Sequence, residues 1–254
     1  MVARNVQWER PPANMFLSHD DVHVWRASLD QPVLRVQWLA RTLDADERLR
    51  AQRFYFEQDR IHFTVARGLL RTILGYYLGI EPGRLRFSYG AQGKPSLEEM
   101  PEGERIRFNL ARSRGLSLYA FTLDREIGVD LEHIRLITET EQSAHGFFSD
   151  QEKAAFQGLV EHQKQRAFFR YWTCKEAYLK ASGEGLELPL DQIDVLLASG
   201  KPARLLSING DIQEASRWSL EELKLVSGFA AALVVERDSY HLSCWQWSEN
   251  LSFK

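Results

Sequence analysis

Apolar positions in the first half of the chain predict two helices between short strands. Residues 60–78 carry apolar side chains at helical spacing, and Gly79 ends this helix. Asp44 and Glu47 have the spacing of a capping box, so a shorter helix begins near Ala45. Short runs of strand-forming residues, such as HVWRASL, stand on either side of these helices.

The second half of the chain repeats this order of helices and then strands. Ser149 and Glu152 form another capping box, residues 164–183 predict a long helix that ends at Gly183, and short strands occupy residues 192–247. We therefore predict an α+β fold of two similar halves related by pseudo-two-fold symmetry, each with helices packed on a small, mainly antiparallel sheet. The predicted halves are residues 1–124 and 125–254.

The stretch GVDLEHI, residues 128–134, places two carboxylates on one face of a predicted strand. Asp130 and Glu132 alternate with apolar neighbours, so the two like charges lie close together. Exposure to water, a lysine or arginine from another strand, or a bound metal ion would each explain this pattern. We predict that this strand pairs with residues 116–123 in a hairpin through Asp124 and Arg125.

The long helix of the second half carries a third carboxylate. Trp172, Glu176 and Lys180 share one face at i, i+4 spacing, and Lys175 adds a second ammonium group beside it. An exposed Glu–Lys pair is the simple explanation. Next to a strand with two carboxylates, this set also suits a magnesium-assisted reaction of a phosphate, because Mg²⁺ binds few protein carboxylates and leaves positions for phosphate oxygens.

Cationic residues recur in the first half. Arg60, Arg67 and Arg71 predict a cationic stripe opposite the apolar stripe of their helix, which suits either solvent or an extended anionic ligand. Residues 93–95, Gly-Lys-Pro, can present an ammonium group and a backbone amide to a phosphate. The signal is weak, because residues 200–202 repeat the tripeptide in a predicted hairpin turn.

Composition narrows the class of protein. The 254 residues are 44% hydrophobic with a net charge of −3, which argues against a nucleic-acid partner. Cys174 and Cys244 lie neither in a C-x-x-C pair nor at ligand spacing from a histidine, so any metal should be held by oxygen. No long apolar run and no secretory signal are present, so we expect a soluble, cytoplasmic protein that does not enter a membrane.

The order of these motifs resembles the surfactin-synthetase type of 4'-phosphopantetheinyl transferase. The resemblance covers residues 50–190 and includes RFYF, RGLLRTIL, GKP, FNL, GVDLE, FFS with Glu152, and FFRYWTCKEAYLKASGEGL. GVDLE followed at this separation by W-x-x-K-E-A-x-x-K-x-x-G-x-G-L is a highly specific combination.

The resemblance implies an enzyme that transfers the 4'-phosphopantetheine arm of coenzyme A to a serine of apo acyl or peptidyl carrier proteins and releases adenosine 3',5'-bisphosphate. It assigns Mg²⁺, with Mn²⁺ as a substitute, to Asp130, Glu132 and Glu176. It makes Glu176 and Lys180 catalytic. The residues implied to bind coenzyme A are Arg60, Arg67, Lys94, Pro95, Arg112, Ser113, Lys175 and Lys180.

One motif departs from the family pattern, in which F-N-(I/L)-S-H-S is usual. This chain has FNLARS, and Arg112 can bind the ribose 3'-phosphate. Ala111 lacks a hydroxyl group, and loss of a hydrogen bond to a charged group costs about 1.5 to 3 kcal/mol, which predicts weaker binding of coenzyme A. The alternative function is therefore a catalytically weakened module that binds coenzyme A or a carrier protein.

The carrier protein is expected to dock at the cleft between the halves. Residues 146–163 offer a helical contact, because Phe147, Phe148 and Phe156 are more aromatic than a solvated helix needs, although the same rings also suit a core. Because the two halves would form one pseudo-symmetric unit, we expect a monomer.

Overall fold

A computed structural model describes residues 7–12, 15–98, 105–136, 146–183, 185, 188–198, 201–236 and 239–248. The strands are β1 Trp8–Glu9, β2 Asp21–Ser28, β3 Phe87–Tyr89, β4 Pro95–Leu97, β5 Ile106–Ser113, β6 Leu116–Leu123, β7 Ile127–His133, β8 Ile193–Leu196, β9 Arg204–Ile208, β10 Trp218–Glu222, β11 Phe229–Glu236 and β12 His241–Gln246. The helices are α1 Val33–Thr42, α2 Ala45–Gln52, α3 Glu57–Leu78, α4 Asp150–Gln157, α5 Glu161–Ser182 and α6 Ile212–Ser216. Within this described part, no helix is both long and apolar enough to cross a membrane.

The protein has the predicted α+β fold, built as helix, sheet, sheet and helix layers. The larger sheet has the strand order β1-β12-β2-β6-β5, and the smaller, antiparallel sheet has the order β10-β11-β7. One core lies between α3 and the larger sheet, a second lies between the two sheets, and a third lies between α5 and the smaller sheet. Each sheet is therefore covered on both faces, as a buried sheet requires.

Local signals correctly predicted the four helices around which these layers form. The capping boxes of Asp44 with Glu47 and of Ser149 with Glu152 are present at the start of α2 and α4. Helices α3 and α5 are both 22 residues long, and both end at a glycine with left-handed backbone geometry, Gly79 with φ 64° and Gly183 with φ 78°. This repetition of helix types supports the predicted internal pseudo-symmetry.

The predicted hairpin of residues 116–123 with the GVDLE strand is wrong. Strand β6 pairs with β2 on one side and β5 on the other, so no edge of β6 is available to β7. Instead, β7 pairs with β11, where Ala232 is opposite Asp130 and Ala230 is opposite Glu132. The chain changes sheets at Asp124, which has a left-handed φ of 56°.

The chain also returns to the first sheet at its end. Strand β12 lies parallel to β2, with Cys244 opposite Val24. The predicted boundary at residue 124 places β12 in the second half, whereas β12 lies in the larger sheet next to β2 of the first half. Pairing between strands so far apart in the sequence leaves no local signal, because a strand pattern reports burial and not the identity of the partner.

Gly128 brings β7 and α5 into close contact. A Cβ atom at this position would lie 2.1 Å from the carbonyl oxygen of Ala177 and 2.4 Å from the backbone nitrogen of Ala181. Only glycine permits this distance between the strand and the helix backbone. As a result, the face of β7 that carries Asp130 and Glu132 lies directly against α5.

A buried histidine should make folding stability sensitive to acid. His23 Nδ1 lies 2.8 Å from the hydroxyl of Tyr77, whose oxygen accepts from Trp25 Nε1. Burial lowers the pKa of His23 from 6.5 to about 4, so the unfolded chain binds a proton at a higher pH than the folded protein does. The stability that depends on this difference is fully present above pH 6.5 and is lost as the pH falls towards 4. We expect His23 to reduce the free energy of unfolding by about 2 kcal/mol between pH 7.5 and 5.

Urea unfolding of the wild type and of His23→Asn at the two pH values measures this effect. Asparagine retains an acceptor for Tyr77 but does not titrate, so the variant should lose about 2 kcal/mol less than the wild type over this interval. Equal pH dependence of the two proteins would show that His23 is not the titrating group.

Candidate active site

A cleft with a volume of about 390 Å³ lies between elements of the two halves. Its walls come from α2, α3, the loop between β3 and β4, strand β5 and the C-terminal end of α5. The charged residues that line it are Arg50, Arg67, Lys94, Arg112, Glu176 and Lys180. Among the residues that the structure describes, five cations and one carboxylate line the cleft, which suits a ligand that carries several negative charges.

One end of the cleft meets the carboxylates of β7. Asp130 is 4% exposed and accepts a hydrogen bond from Lys180 Nζ at 2.5 Å through Oδ1. Its other oxygen, Oδ2, is buried and has no hydrogen-bond partner among the described residues. Glu176 lies one helical turn before Lys180 and lines the cleft. Burial and the nearby Asp130 raise the pKa of Glu176, and Lys180 opposes this shift.

Glu132 is held by a serine of the neighbouring sheet. Ser113 Oγ donates to Glu132 Oε2 at 3.2 Å and accepts from the backbone N–H of His133 at 3.0 Å. Burial and Asp130 raise the pKa of Glu132. Among the described residues, no three acidic, histidine or cysteine side chains are close enough together to form a ready metal site. The magnesium triad of Asp130, Glu132 and Glu176 thus stays a prediction.

The other end of the cleft consists of arginines over aromatic rings. The guanidinium of Arg112 lies 5.5 Å from the ring centre of Phe63, and the guanidinium of Arg50 lies 5.8 Å from the same ring centre. Arg67 donates to Glu47 and to the hydroxyl of Tyr89, the latter at 2.9 Å. These contacts hold the planar guanidinium groups in place, which prepares them for a phosphate.

The Gly-Lys-Pro loop of the first half is attached to the second half. Lys94 Nζ donates to Glu126 Oε2 at 2.9 Å and to the carbonyl oxygen of Ala181 at 3.0 Å. Burial lowers the pKa of Lys94, and the hydrogen bond that Lys94 donates to Glu126 opposes this change. Pro95 begins β4 and also lines the cleft. The loop therefore reaches the C-terminal end of α5 and closes one side of the cleft.

Comparisons with known proteins show the family to which this chain belongs. The family model for the 4'-phosphopantetheinyl transferase superfamily matches residues 126–236, and the model for the N-terminal part of 4'-phosphopantetheinyl transferase matches residues 14–120. The 4'-phosphopantetheinyl transferase HetI of a Nostoc species is 43% identical over 240 residues, which cover 94% of this chain and 98% of that protein. The chain belongs to the 4'-phosphopantetheinyl transferase superfamily.

A second sequence relative agrees with this assignment. A 4'-phosphopantetheinyl transferase of Bacillus subtilis is 30% identical over 155 residues, 61% of this chain and 66% of that protein. Among solved structures, the ACPS–CoA complex of Chronobacterium ammoniagenes has a TM-score of 0.35 and 22% identity, covering 46% of this chain and 98% of that chain. The protein is therefore an enzyme, and its activity is transfer of phosphopantetheine from coenzyme A to carrier proteins.

Several residues implied to contact coenzyme A do not line the cleft of the transferase. Lys175 is fully buried and donates to Glu152, Phe147 and Leu190. Its ammonium group thus has three acceptors in the protein, which leaves it no position for a phosphate. Ser113 contacts Glu132 instead of the cleft.

The predicted arginine stripe is also wrong. Arg60 is exposed and pairs with Glu57. Arg67 and Arg71 are buried, and both donate to Glu47, so only Arg67 reaches the cleft. Helical spacing alone predicts that these arginines share a polar face. The carboxylate of Glu47 in α2 covers Arg67 and Arg71 on that face and keeps them from solvent.

Ala111 does not line the cleft, which argues against the prediction of weakened binding. It is 4% exposed and packs in the core between the two sheets, on the opposite face of β5 from Arg112. A serine hydroxyl at this position would face that core. The substitution therefore gives no reason to expect weaker binding, and the basis for a weakened module is removed.

The predicted aromatic docking surface is part of a core as well. Phe147, Phe148 and Phe156 are 3%, 4% and 7% exposed and pack with α5. They are covered by the protein itself, so a carrier protein cannot use their rings as an exposed contact.

Three residues that line the cleft were not predicted from the sequence: Arg50, Tyr89 and Asn109. Arg50 lies in a helix rich in charged residues, where no pattern separates it from solvent-exposed arginines. Asn109 Oδ1 accepts from the backbone N–H of Val129 at 3.0 Å, which joins the edges of the two sheets. The FNL motif contained this asparagine, but a partner twenty residues away on another sheet is not visible in a local pattern.

Proposed function

We propose that the cleft binds coenzyme A with its ribose 3'-phosphate at Arg50 and Arg112 and its pyrophosphate at Lys180. The observation that carries this orientation is the separation of charges: arginines on aromatic rings line one end, whereas Lys180, Glu176 and the adjoining Asp130 form the other. The carboxylates belong beside the reacting phosphate, because there a proton must be accepted and phosphate charge neutralised. A cleft of this size falls in the range of about 300 to 1,000 Å³ usual for small-molecule sites.

We further propose that Asp130, Glu132 and Glu176 hold Mg²⁺, or Mn²⁺ as a substitute. The donor set fits a hard cation, since all three are carboxylates and Asp130 Oδ2 is a buried acceptor that no described residue contacts by a hydrogen bond. Burial and the nearby Asp130 raise the pKa of both Glu132 and Glu176, and a bound cation would oppose this shift. When bound, the ion would neutralise charge on the pyrophosphate.

The chain's own residues would then perform the transfer. The serine oxygen of the carrier forms a bond to the β-phosphorus, and the bond from that phosphorus to adenosine 3',5'-bisphosphate breaks. Glu176 would accept the serine proton, directly or through water, because its carboxylate lines the cleft and because burial and the nearby Asp130 raise its pKa. Lys180 would stabilise the negative charge that develops on the phosphate oxygens.

The carrier would be an acyl or peptidyl carrier protein, the substrate class that the motifs imply. A cytoplasmic location is supported by the two cysteines, Cys174 and Cys244, which are both free and buried. A monomeric state stays a prediction that follows from the two pseudo-symmetric halves.

Transfer is tested by incubating the protein with coenzyme A, Mg²⁺ and a panel of apo carrier proteins, followed by mass spectrometry of each carrier. We expect a gain of one phosphopantetheine group on at least one carrier, and none on the same carrier with its acceptor serine changed to alanine. Omission of Mg²⁺ with a chelator present should prevent the gain. Binding of coenzyme A without modification of any carrier would instead identify a binding module.

A further inference from the structure

Each half of the transferase buries a cation at the same place in its architecture. Arg71 in α3 and Lys175 in α5 each lie fourteen residues after the first residue of a 22-residue helix, Glu57 and Glu161 respectively. Both side chains are 0% exposed. Burying a charge this completely is costly unless acceptors surround it, so the acceptors show what each cation does.

In the first half, Arg71 joins three segments. Its Nε donates to Glu47 Oε2 at 2.5 Å, and its Nη1 donates to the carbonyl oxygens of Pro82 at 3.1 Å and Leu85 at 2.9 Å. Glu47 is the third helical residue of α2, within its capping box. Pro82 begins the short 3₁₀ turn that follows α3.

In the second half, Lys175 joins the corresponding segments. Its Nζ donates to Glu152 Oε2 at 2.5 Å and to the carbonyl oxygens of Phe147 at 2.8 Å and Leu190 at 2.9 Å. Glu152 is the third helical residue of α4, again within a capping box. Leu190 begins the 3₁₀ turn that follows α5. The two pairs are therefore equivalent under the pseudo-symmetry.

The two pairs support different parts of the cleft. Lys175 directly precedes Glu176 on α5, and the opposite side of α5 is pressed onto β7 at Gly128. The pair with Glu152 thus fixes the rotation of α5 about its axis. In the first half, Glu47 also accepts from Arg67 Nε at 2.6 Å, and Arg67 lines the end of the cleft that is rich in arginine.

We infer that Lys175 with Glu152 is the positioning pair for the chemical step, and that Arg71 with Glu47 is the positioning pair for the wall that binds coenzyme A. This inference rests on the proposed function of the cleft. It replaces the phosphate contact that the family resemblance implied for Lys175. A pair that orients reactive groups should affect kcat, whereas a pair that orients binding groups should affect the affinity for the substrate.

The two roles can be separated with matched variants. In Lys175→Met/Glu152→Gln, the glutamine oxygen can still accept from the backbone N–H of Val195, which Glu152 now binds at 2.8 Å. We expect kcat to fall about 10- to 100-fold, as for loss of a residue that orients a reactive group, with the Kd and KM for coenzyme A within about twofold of the wild type. In Arg71→Met, we expect the Kd and KM for coenzyme A to rise about tenfold with kcat within about threefold.

Steady-state kinetics with an apo carrier protein give kcat and KM, isothermal titration calorimetry gives the Kd for coenzyme A, and thermal unfolding identifies variants that do not fold. Lys175→Arg serves as the conservative variant, because arginine occupies the equivalent position in the first half. It should keep the Kd for coenzyme A and recover most of the lost kcat. If the double variant does not fold, the kcat and the Kd for coenzyme A of Lys175→Arg are compared with those of the wild type instead. The inference then requires that any difference lies in kcat and not in Kd.

The inference is overturned if the Lys175 variants weaken coenzyme A binding at unchanged kcat, which is the result of a phosphate contact. It is also overturned if variants of both pairs change kcat and Kd alike, which is the result of packing alone. These outcomes are distinct from failure of the proposed function, in which the wild type itself would not modify any carrier.

Discussion

Replacement of Glu176 by glutamine should lower kcat for phosphopantetheine transfer by about 10²- to 10³-fold, the range typical of removing a general base or an electrostatic contact to the reacting group. Glutamine has nearly the same shape, so the fold and the melting temperature should be retained. The residue lines the cleft beside Lys180, and the adjacent Asp130 raises its pKa along with burial. Steady-state transfer assays with an apo carrier protein measure this effect.

Glu161→Gln is the matched control for this variant. Glu161 lies on the same helix, but it is exposed and pairs with Lys164. Its replacement should leave kcat unchanged. If Glu176→Gln retained kcat within about threefold, Glu176 would be neither proton acceptor nor metal ligand.

A magnesium titration separates the two roles of Glu176. If its main role is to bind the ion, a higher Mg²⁺ concentration should recover part of the activity of Glu176→Gln, because lost affinity is compensated by mass action. If its main role is to accept the proton, the activity should stay low at every Mg²⁺ concentration. Asp130→Asn provides a comparison, because it removes a carboxylate that contacts Lys180 and has no proposed role in proton transfer.

Gly128→Ala should destabilise the protein by more than about 3 kcal/mol, beyond the usual cost of one added methyl group in a core. The new Cβ would lie 2.1 Å from a backbone oxygen and 2.4 Å from a backbone nitrogen of α5. Backbone atoms cannot rotate away as a side chain can, so β7 and α5 must separate. That separation would also break the contact between Lys180 and Asp130. Urea unfolding measures the loss of stability.

Gly158→Ala is the control for the added methyl group. Gly158 follows α4 with a φ of −70°, and the nearest atom to its new Cβ would be 3.6 Å away. Its stability should stay within about 0.5 kcal/mol of the wild type, as for most surface changes. If Gly128→Ala and Gly158→Ala unfolded at the same urea concentration, β7 and α5 would not pack as closely as described.

The sequence alone was enough to place most of the groups for which we propose a chemical role. Alternation along β7 put Asp130 and Glu132 on one face, and helical spacing put Glu176 and Lys180 on another. The capping boxes and the glycines at the helix ends placed the helices themselves. These features depend on residues within about four positions of one another, so local geometry fixes them.

The tertiary structure decided which of these groups meet. Lys175 and Lys180 lie on the same helix, five residues or about 140° of rotation apart. Lys175 is buried against Glu152 of α4, whereas Lys180 lines the cleft and contacts Asp130 of β7. The placement of β7 beside β11, and of β12 in the first sheet, likewise joins residues remote in sequence. Periodicity determines the face on which a side chain lies, whereas long-range packing determines what that face contacts.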